Sequence, residues 1–108
     1  MDRACVKKLT LSDVQNKLAV PSDMAAIMPP ADPERNIPIR VLDDWGQVYN
    51  FYLSGRRGRY IKPVFQAKEW RAFIKCRGAK DGDQIYFWHE VDESKHTQYC
   101  IVFCKNYL

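Results

Sequence analysis

The chain has 108 residues, 46% hydrophobic and 28% charged, which suits one globular rather than disordered domain over residues 1–108, since a second core would leave each half near the lower limit for folding alone. No apolar run approaches the roughly 18 residues that a membrane span needs, and no charged-then-apolar leader opens the chain, so an intracellular protein is expected. The net charge of +4 is ordinary as a total but unevenly spread. From Leu53 to Lys80, nine basic residues (Arg56, Arg57, Arg59, Lys62, Lys68, Arg71, Lys75, Arg77 and Lys80) face one acidic residue, Glu69, which makes this segment +8 and the rest −4. A pole of this kind concentrates polyanions and speeds their arrival.

In chain order, Val6–Leu11 (VKKLTL) reads as a short strand, followed by a polar stretch, SDVQNK. Leu18, Ala19 and Val20 resume an apolar run that Pro21 stops. Ser22 is the expected N-cap of one or two helical turns in DMAAIM, ended by Pro29 and Pro30. A proline-rich loop leads to Ile37, Ile39 and Val41, which alternate with Pro38, Arg40 and Leu42 and so predict a strand with one face toward a core. Asp44-Trp45-Gly46 turns the chain into a second strand with Tyr49, Phe51 and Leu53 on one side, completing an antiparallel hairpin. The SGRRGR tip follows, and RYIKPVF returns as another strand. AKEWRAFIKC is the best helix: Trp70, Phe73 and Ile74 fall at i, i+3 and i+4, while Lys68, Arg71 and Lys75 point elsewhere. Gly78 is its expected stop. Asp81-Gly82-Asp83 then turns into QIYFWHEV, and the tip DESKH leads to the closing strand TQYCIVFCK. Roughly seven strands with two short helices and no long crossover predict a mainly β protein, an antiparallel barrel-like sheet, rather than a βαβ repeat.

The four cysteines, Cys5, Cys76, Cys100 and Cys104, include no CxxC pair. Cys100 and Cys104 lie in a period-two apolar stretch, where they are expected to face one side of a strand as buried thiols rather than as metal ligands with His89 and His96. No catalytic constellation stands out. GxSxG and HExxH are absent, and Asp43-Asp44 and Asp81-Gly82-Asp83 are more simply turn formers. No catalytic residue, metal, cofactor or small-molecule substrate is therefore expected. The SGRRGR tip lacks the GK[ST] ending of a P-loop but suits a duplex. Its two glycines let the backbone approach phosphates, and Arg56, Arg57 and Arg59 supply forked donors for phosphate oxygens or for guanine O6 and N7. Tyr52 and Tyr60, which could stack on single-stranded bases, are expected to pack in the sheet instead. A second reading has the same basic pole docking an acidic protein partner.

The sequence resembles the plant B3 DNA-binding domain family along nearly its whole length from Lys7. The likeness rests on four motifs in order: Lys7-Lys8-Leu9-Thr10-Leu11-Ser12-Asp13-Val14, Leu18-Ala19-Val20-Pro21, Trp70-Arg71-Ala72-Phe73-Ile74-Lys75, and Asp81-Gly82-Asp83-Gln84-Ile85-Tyr86-Phe87. It implies a seven-stranded open pseudobarrel with two short helices, in a nuclear transcription regulator that binds double-stranded DNA by two arms in the major groove. Carried across, the first arm runs from Lys7 through Gln15, Asn16 and Lys17, with Lys7 on a phosphate and Asn16 and Lys17 near base edges. The second arm spans Ser54 to Arg59, and Lys62 completes the set of DNA-binding residues. The first arm is shorter than in the family's seed regulators and has Lys17 where arginine is usual. The second has Gly-Arg-Arg-Gly-Arg in place of an amide-rich and aromatic tip. More charge and fewer amides imply stronger phosphate binding and looser base reading.

Overall fold

The alternation of Ile39 and Val41 with polar neighbours becomes strand β3 (Ile37–Asp43), and that of Tyr49, Phe51 and Leu53 becomes β4 (Val48–Gly55); all five side chains are buried. The two strands pair antiparallel with Ile39 opposite Phe51 and Val41 opposite Tyr49. Asp43 makes the turn between them: its carboxylate accepts from the backbone N–H groups of Trp45 (3.0 Å) and Gln47 (2.8 Å). Gly46 takes the left-handed conformation (φ 80°) that the turn requires. These strands belong to a computed structural model that describes residues 4–55 and 62–107.

The remaining described elements are β1 (Cys5–Lys8), α1 (Leu11–Gln15), β2 (Leu18–Ala19), α2 (Ser22–Ala25), β5 (Pro63–Phe65), α3 (Ala67–Arg77), β6 (Gln84–Asp92) and β7 (Thr97–Cys104). The seven strands form one sheet in the order β1-β6-β7-β3-β4-β5-β2. Every pair is antiparallel except β3 with β7, which makes the sheet mixed rather than purely antiparallel as expected. The sheet curls into a half-barrel whose two edges are β1 and β2. Its concave face is filled by aromatic rings. Phe51 lies 5.0 Å from Phe65 and 5.7 Å from Trp70 between ring centroids, and Trp70 and Phe73 supply the buried face of α3. The helix ends at Gly78, in the left-handed conformation at φ 62°, with the Ala79 N–H donating to the Ile74 oxygen at 3.0 Å.

The structure departs from the sequence reading at several points. The described residues form three short helices, because α1 occupies the stretch read as polar and irregular. Pro21 rather than Ser22 precedes α2; Ser22 is its first residue and makes no cap. Cys100 is buried, but Cys104 and Cys76 are exposed and Cys5 is half-buried; Cys104 lies on the face of β7 opposite Tyr99, Ile101 and Phe103, which pack on the core. All four are free thiols. Burial, with the Glu90 carboxylate adding to it, pushes the Cys100 thiol up to about 11, which leaves it protonated and unreactive at neutral pH. Tyr52 is exposed rather than packed in the sheet, and Tyr60 lies outside the described residues.

Candidate nucleic-acid interface

The first candidate arm connects the two open edges of the sheet. β1 is one edge and β2 the other, and α1 is nearly all that lies between them in sequence. Thr10 starts α1 with a reciprocal cap. Its hydroxyl accepts from the Asp13 N–H at 3.1 Å, and the Asp13 carboxylate accepts from the Thr10 N–H at 2.9 Å. Asp13 is 2% exposed, yet both of its carboxylate oxygens accept hydrogen bonds. Beyond Thr10, its Oδ1 accepts from the Ala19 N–H (3.1 Å) and from the Lys7 ammonium (3.1 Å). Burial alone would raise the Asp13 carboxyl, but the Thr10 and Ala19 amides and the Lys7 ammonium together hold it below the usual carboxylate range.

Lys7 completes the seam. Its Nζ donates to Asp13 and also to the backbone oxygen of Ala19, so one side chain joins edge strand β1 to edge strand β2. The Lys7 side chain is only 16% exposed and its charge is paired with Asp13. Gln15, Asn16 and Lys17 are all exposed at the far end of α1. Asn16 is the C-cap residue, donating its backbone N–H to the Ser12 oxygen at 2.9 Å, which leaves the side-chain amide outside the helix's own bonding.

The second candidate arm joins β4 to β5. Arg56, Arg57 and Arg59 lie outside the described residues. Ser54, expected at the start of this arm, is 5% exposed, pairs with Val64 across the strands, and accepts a hydrogen bond from the Gln66 side chain. It anchors the base of the arm. Lys62, where description resumes, is exposed. The register β2–β5 relates the two arms. Leu18 faces Phe65 and Ala19 faces Val64, and the Val20 N–H donates to the Pro63 oxygen at 3.0 Å. Lys17 therefore adjoins the ladder at its Leu18–Phe65 end and Lys62 at its Pro63 end.

The basic pole read from the sequence is not uniform in space. Lys62, Lys68, Arg71, Lys75 and Lys80 are exposed. Arg77 is not: its guanidinium lies 3.9 Å from the centre of the Trp45 ring and is forked onto Asp44 at 2.6 and 2.9 Å. Its side chain is 6% exposed, so it serves the fold rather than the surface charge. The Arg77 hydrogen bonds hold the Asp44 carboxyl below the usual range. Asp43 and Asp83 are turn formers as expected; Asp83 accepts from the Lys80 N–H and the Asn106 N–H, both at 2.8 Å. Among the described residues, no group of three or more His, Cys, Asp or Glu side chains is placed to hold a metal ion, and no helix is long and apolar enough to cross a membrane. Sequence reasoning missed the role of Thr10 and Asp13, although Thr-x-x-Asp is the spacing of a helix cap.

No protein-family model matches the chain, and no curated protein matches its sequence. Solved structures do match. The Arabidopsis FUS3–DNA complex is similar at a TM-score of 0.79 and 25% identity, over 95% of this chain and 98% of that one. The complex of the Arabidopsis thaliana transcription factor LEC2 with DNA is similar at 0.75 and 25% identity, over 94% and 92%. A hypothetical Arabidopsis thaliana protein shares the fold at 0.67 and 20% identity, over 98% and 93%. Seven strands curled into an open half-barrel, its edges joined by α1, together with these likenesses over nearly full length, identify the chain as having the plant B3 domain fold.

Proposed function

We propose that this chain binds double-stranded DNA as the recognition module of a nuclear plant transcription regulator, and that it is a binding module rather than an enzyme. The observation that carries the reading is the end-to-end likeness to two chains that were solved bound to DNA. In this reading the exposed Gln15, Asn16 and Lys17 form the tip of the first arm, with Asn16 as its base reader. Arg56, Arg57, Arg59 and Lys62 form the second arm, chiefly against phosphates. Ser54 fixes the root of that arm through Gln66. Lys7 acts one step back: its ammonium orders the first arm through Asp13 and Ala19.

Titration of the purified chain into a fluorescent random-sequence duplex at several salt concentrations tests this. Saturable binding with a steep salt dependence is expected, and selection from the same pool should enrich a defined motif. No duplex binding, or equal binding to an acidic polypeptide of matched charge, would overturn it.

A further inference from the structure

Helix α3 carries a basic surface that neither arm accounts for. Lys68, Arg71 and Lys75 recur at i, i+3 and i+7 and so share one face, opposite the buried Trp70, Phe73 and Ile74. All three are exposed, and none has an ion pair or hydrogen-bond partner among the described residues. Lys7 is paired with Asp13, Arg77 with Asp44 and Lys105 with Asp83, whereas this row, like the single exposed lysines Lys8, Lys17, Lys62 and Lys80, has no carboxylate partner among the described residues. Three like charges along an exposed helix face repel one another unless an anion sits over them.

The row also starts at the first arm. Lys17 directly precedes Leu18, which pairs with Phe65, and Gln66, the N-cap of α3, directly follows Phe65. Arg71 lines the same cavity of about 320 Å³ as Ser12, Gln15, Asn16 and Lys17. From Lys68 to Lys75 the row extends about 10 Å along the helix axis, against roughly 7 Å of axial rise from the first to the third of three phosphates on one DNA strand, a difference that long, flexible Lys and Arg side chains can take up.

We propose that α3 is a third contact element, in which Lys68, Arg71 and Lys75 hold consecutive phosphodiester groups of the duplex beside the first arm. This deepens, and rests on, the DNA-binding reading above. The row supplies affinity without sequence information, because ammonium and guanidinium groups on phosphate oxygens do not report base identity. It also fixes the angle at which α1 enters the groove, since Trp70 of the same helix bonds α1 directly.

The test is the salt dependence of binding to a fluorescent random-sequence duplex, for the intact chain and for the Lys68→Gln/Arg71→Gln/Lys75→Gln variant. The variant should keep its melting temperature and keep the ratio of affinities for selected and scrambled duplexes. Its slope of log K against log salt should fall by about two to three units. The charge-keeping variant Lys68→Arg/Arg71→Lys/Lys75→Arg should restore most of the slope. A folded glutamine variant with the slope of the intact chain would overturn the third contact and leave the two arms standing. An intact chain without duplex affinity would overturn both readings. A slope lost on an acidic polypeptide but not on duplex would assign the row to a protein partner instead.

Discussion

The indole N–H of Trp70 donates to the backbone oxygen of Asp13 across 2.7 Å, joining residues 57 apart in the chain. Trp70 is fully buried among Phe51, Phe65 and Phe73, so this bond fastens α1, part of the proposed first arm, to the centre of the core. A surface arm gains precision when its backbone is bonded to something that does not move.

Trp70→Phe keeps a ring but removes the only donor that reaches this oxygen from α3. A buried carbonyl that loses its partner costs about 1–3 kcal/mol. Urea unfolding is expected to show a loss of that size. Hydrogen exchange should show that the amides of Val14 and Asn16, which bond back to Thr10 and Ser12, lose protection more than those of β3 and β4. Uniform loss of protection throughout the sheet would mean that the bond stabilises the whole fold and does not specifically fasten α1.

Asp13 makes the seam sensitive to acid. Its folded carboxyl sits below the ordinary value because the Thr10 and Ala19 amides and the Lys7 ammonium outweigh burial. A depressed folded value contributes stability that is present above the unfolded value of about 4 and is lost as pH falls through the folded one. Asp13→Asn should therefore melt well below the parent at neutral pH, with the gap narrowing as both are taken below about pH 4. Lys7→Met should behave alike at neutral pH, since it removes the partner. A Lys7→Met variant with unchanged melting temperature would return Lys7 to the surface and to the role of a direct phosphate contact.

The second arm makes the opposite prediction. Replacing Arg56, Arg57 and Arg59 together with alanine should weaken duplex binding about tenfold or more at low salt and leave melting nearly unchanged, because charged tip residues rarely hold a fold together. Unchanged affinity in the folded triple variant would remove this arm from the interface.

What could be read in the sequence was what depends on neighbours a few positions away. The Ile39/Val41 and Tyr49/Phe51/Leu53 alternations, the Trp70-Phe73-Ile74 stripe and the Gly78 stop each carry their own period or conformational requirement, and each is found where expected. Partnerships across the fold were hidden. Arg77 looked like one more charge in a basic run because Asp44, which takes it, is 33 residues earlier. The bond from Lys7 to Ala19 was hidden because Ala19, 12 residues later, lies beside it only once the edges β1 and β2 are brought together. Helix α1 was hidden for a local reason: Thr10 belongs to an apparent strand, VKKLTL, and five residues are too short for a visible helical period. Cys104 was misplaced because Tyr99, Ile101 and Phe103 are the residues of β7 that pack on the core, and Cys104 alternates onto the other face of the strand.

Asn16 is where stability and recognition separate most cleanly. Its backbone closes α1 by donating to Ser12, a bond that alanine would keep, while its exposed amide makes no intrahelical cap bond. That amide offers one acceptor and two donors, enough for a paired match to adenine N6 and N7, whereas the ammonium of neighbouring Lys17 cannot impose such a pattern. Asn16→Ala is accordingly expected to leave the melting temperature nearly unchanged, to cost about 1–3 kcal/mol on the selected duplex, and to cost little on a scrambled one. Lys17→Gln should instead weaken both duplexes alike and shallow the salt slope by about one unit. Anisotropy titrations of the two variants against the two duplexes give four affinities. Equal weakening by Asn16→Ala on both duplexes would show that the first arm holds DNA without reading it.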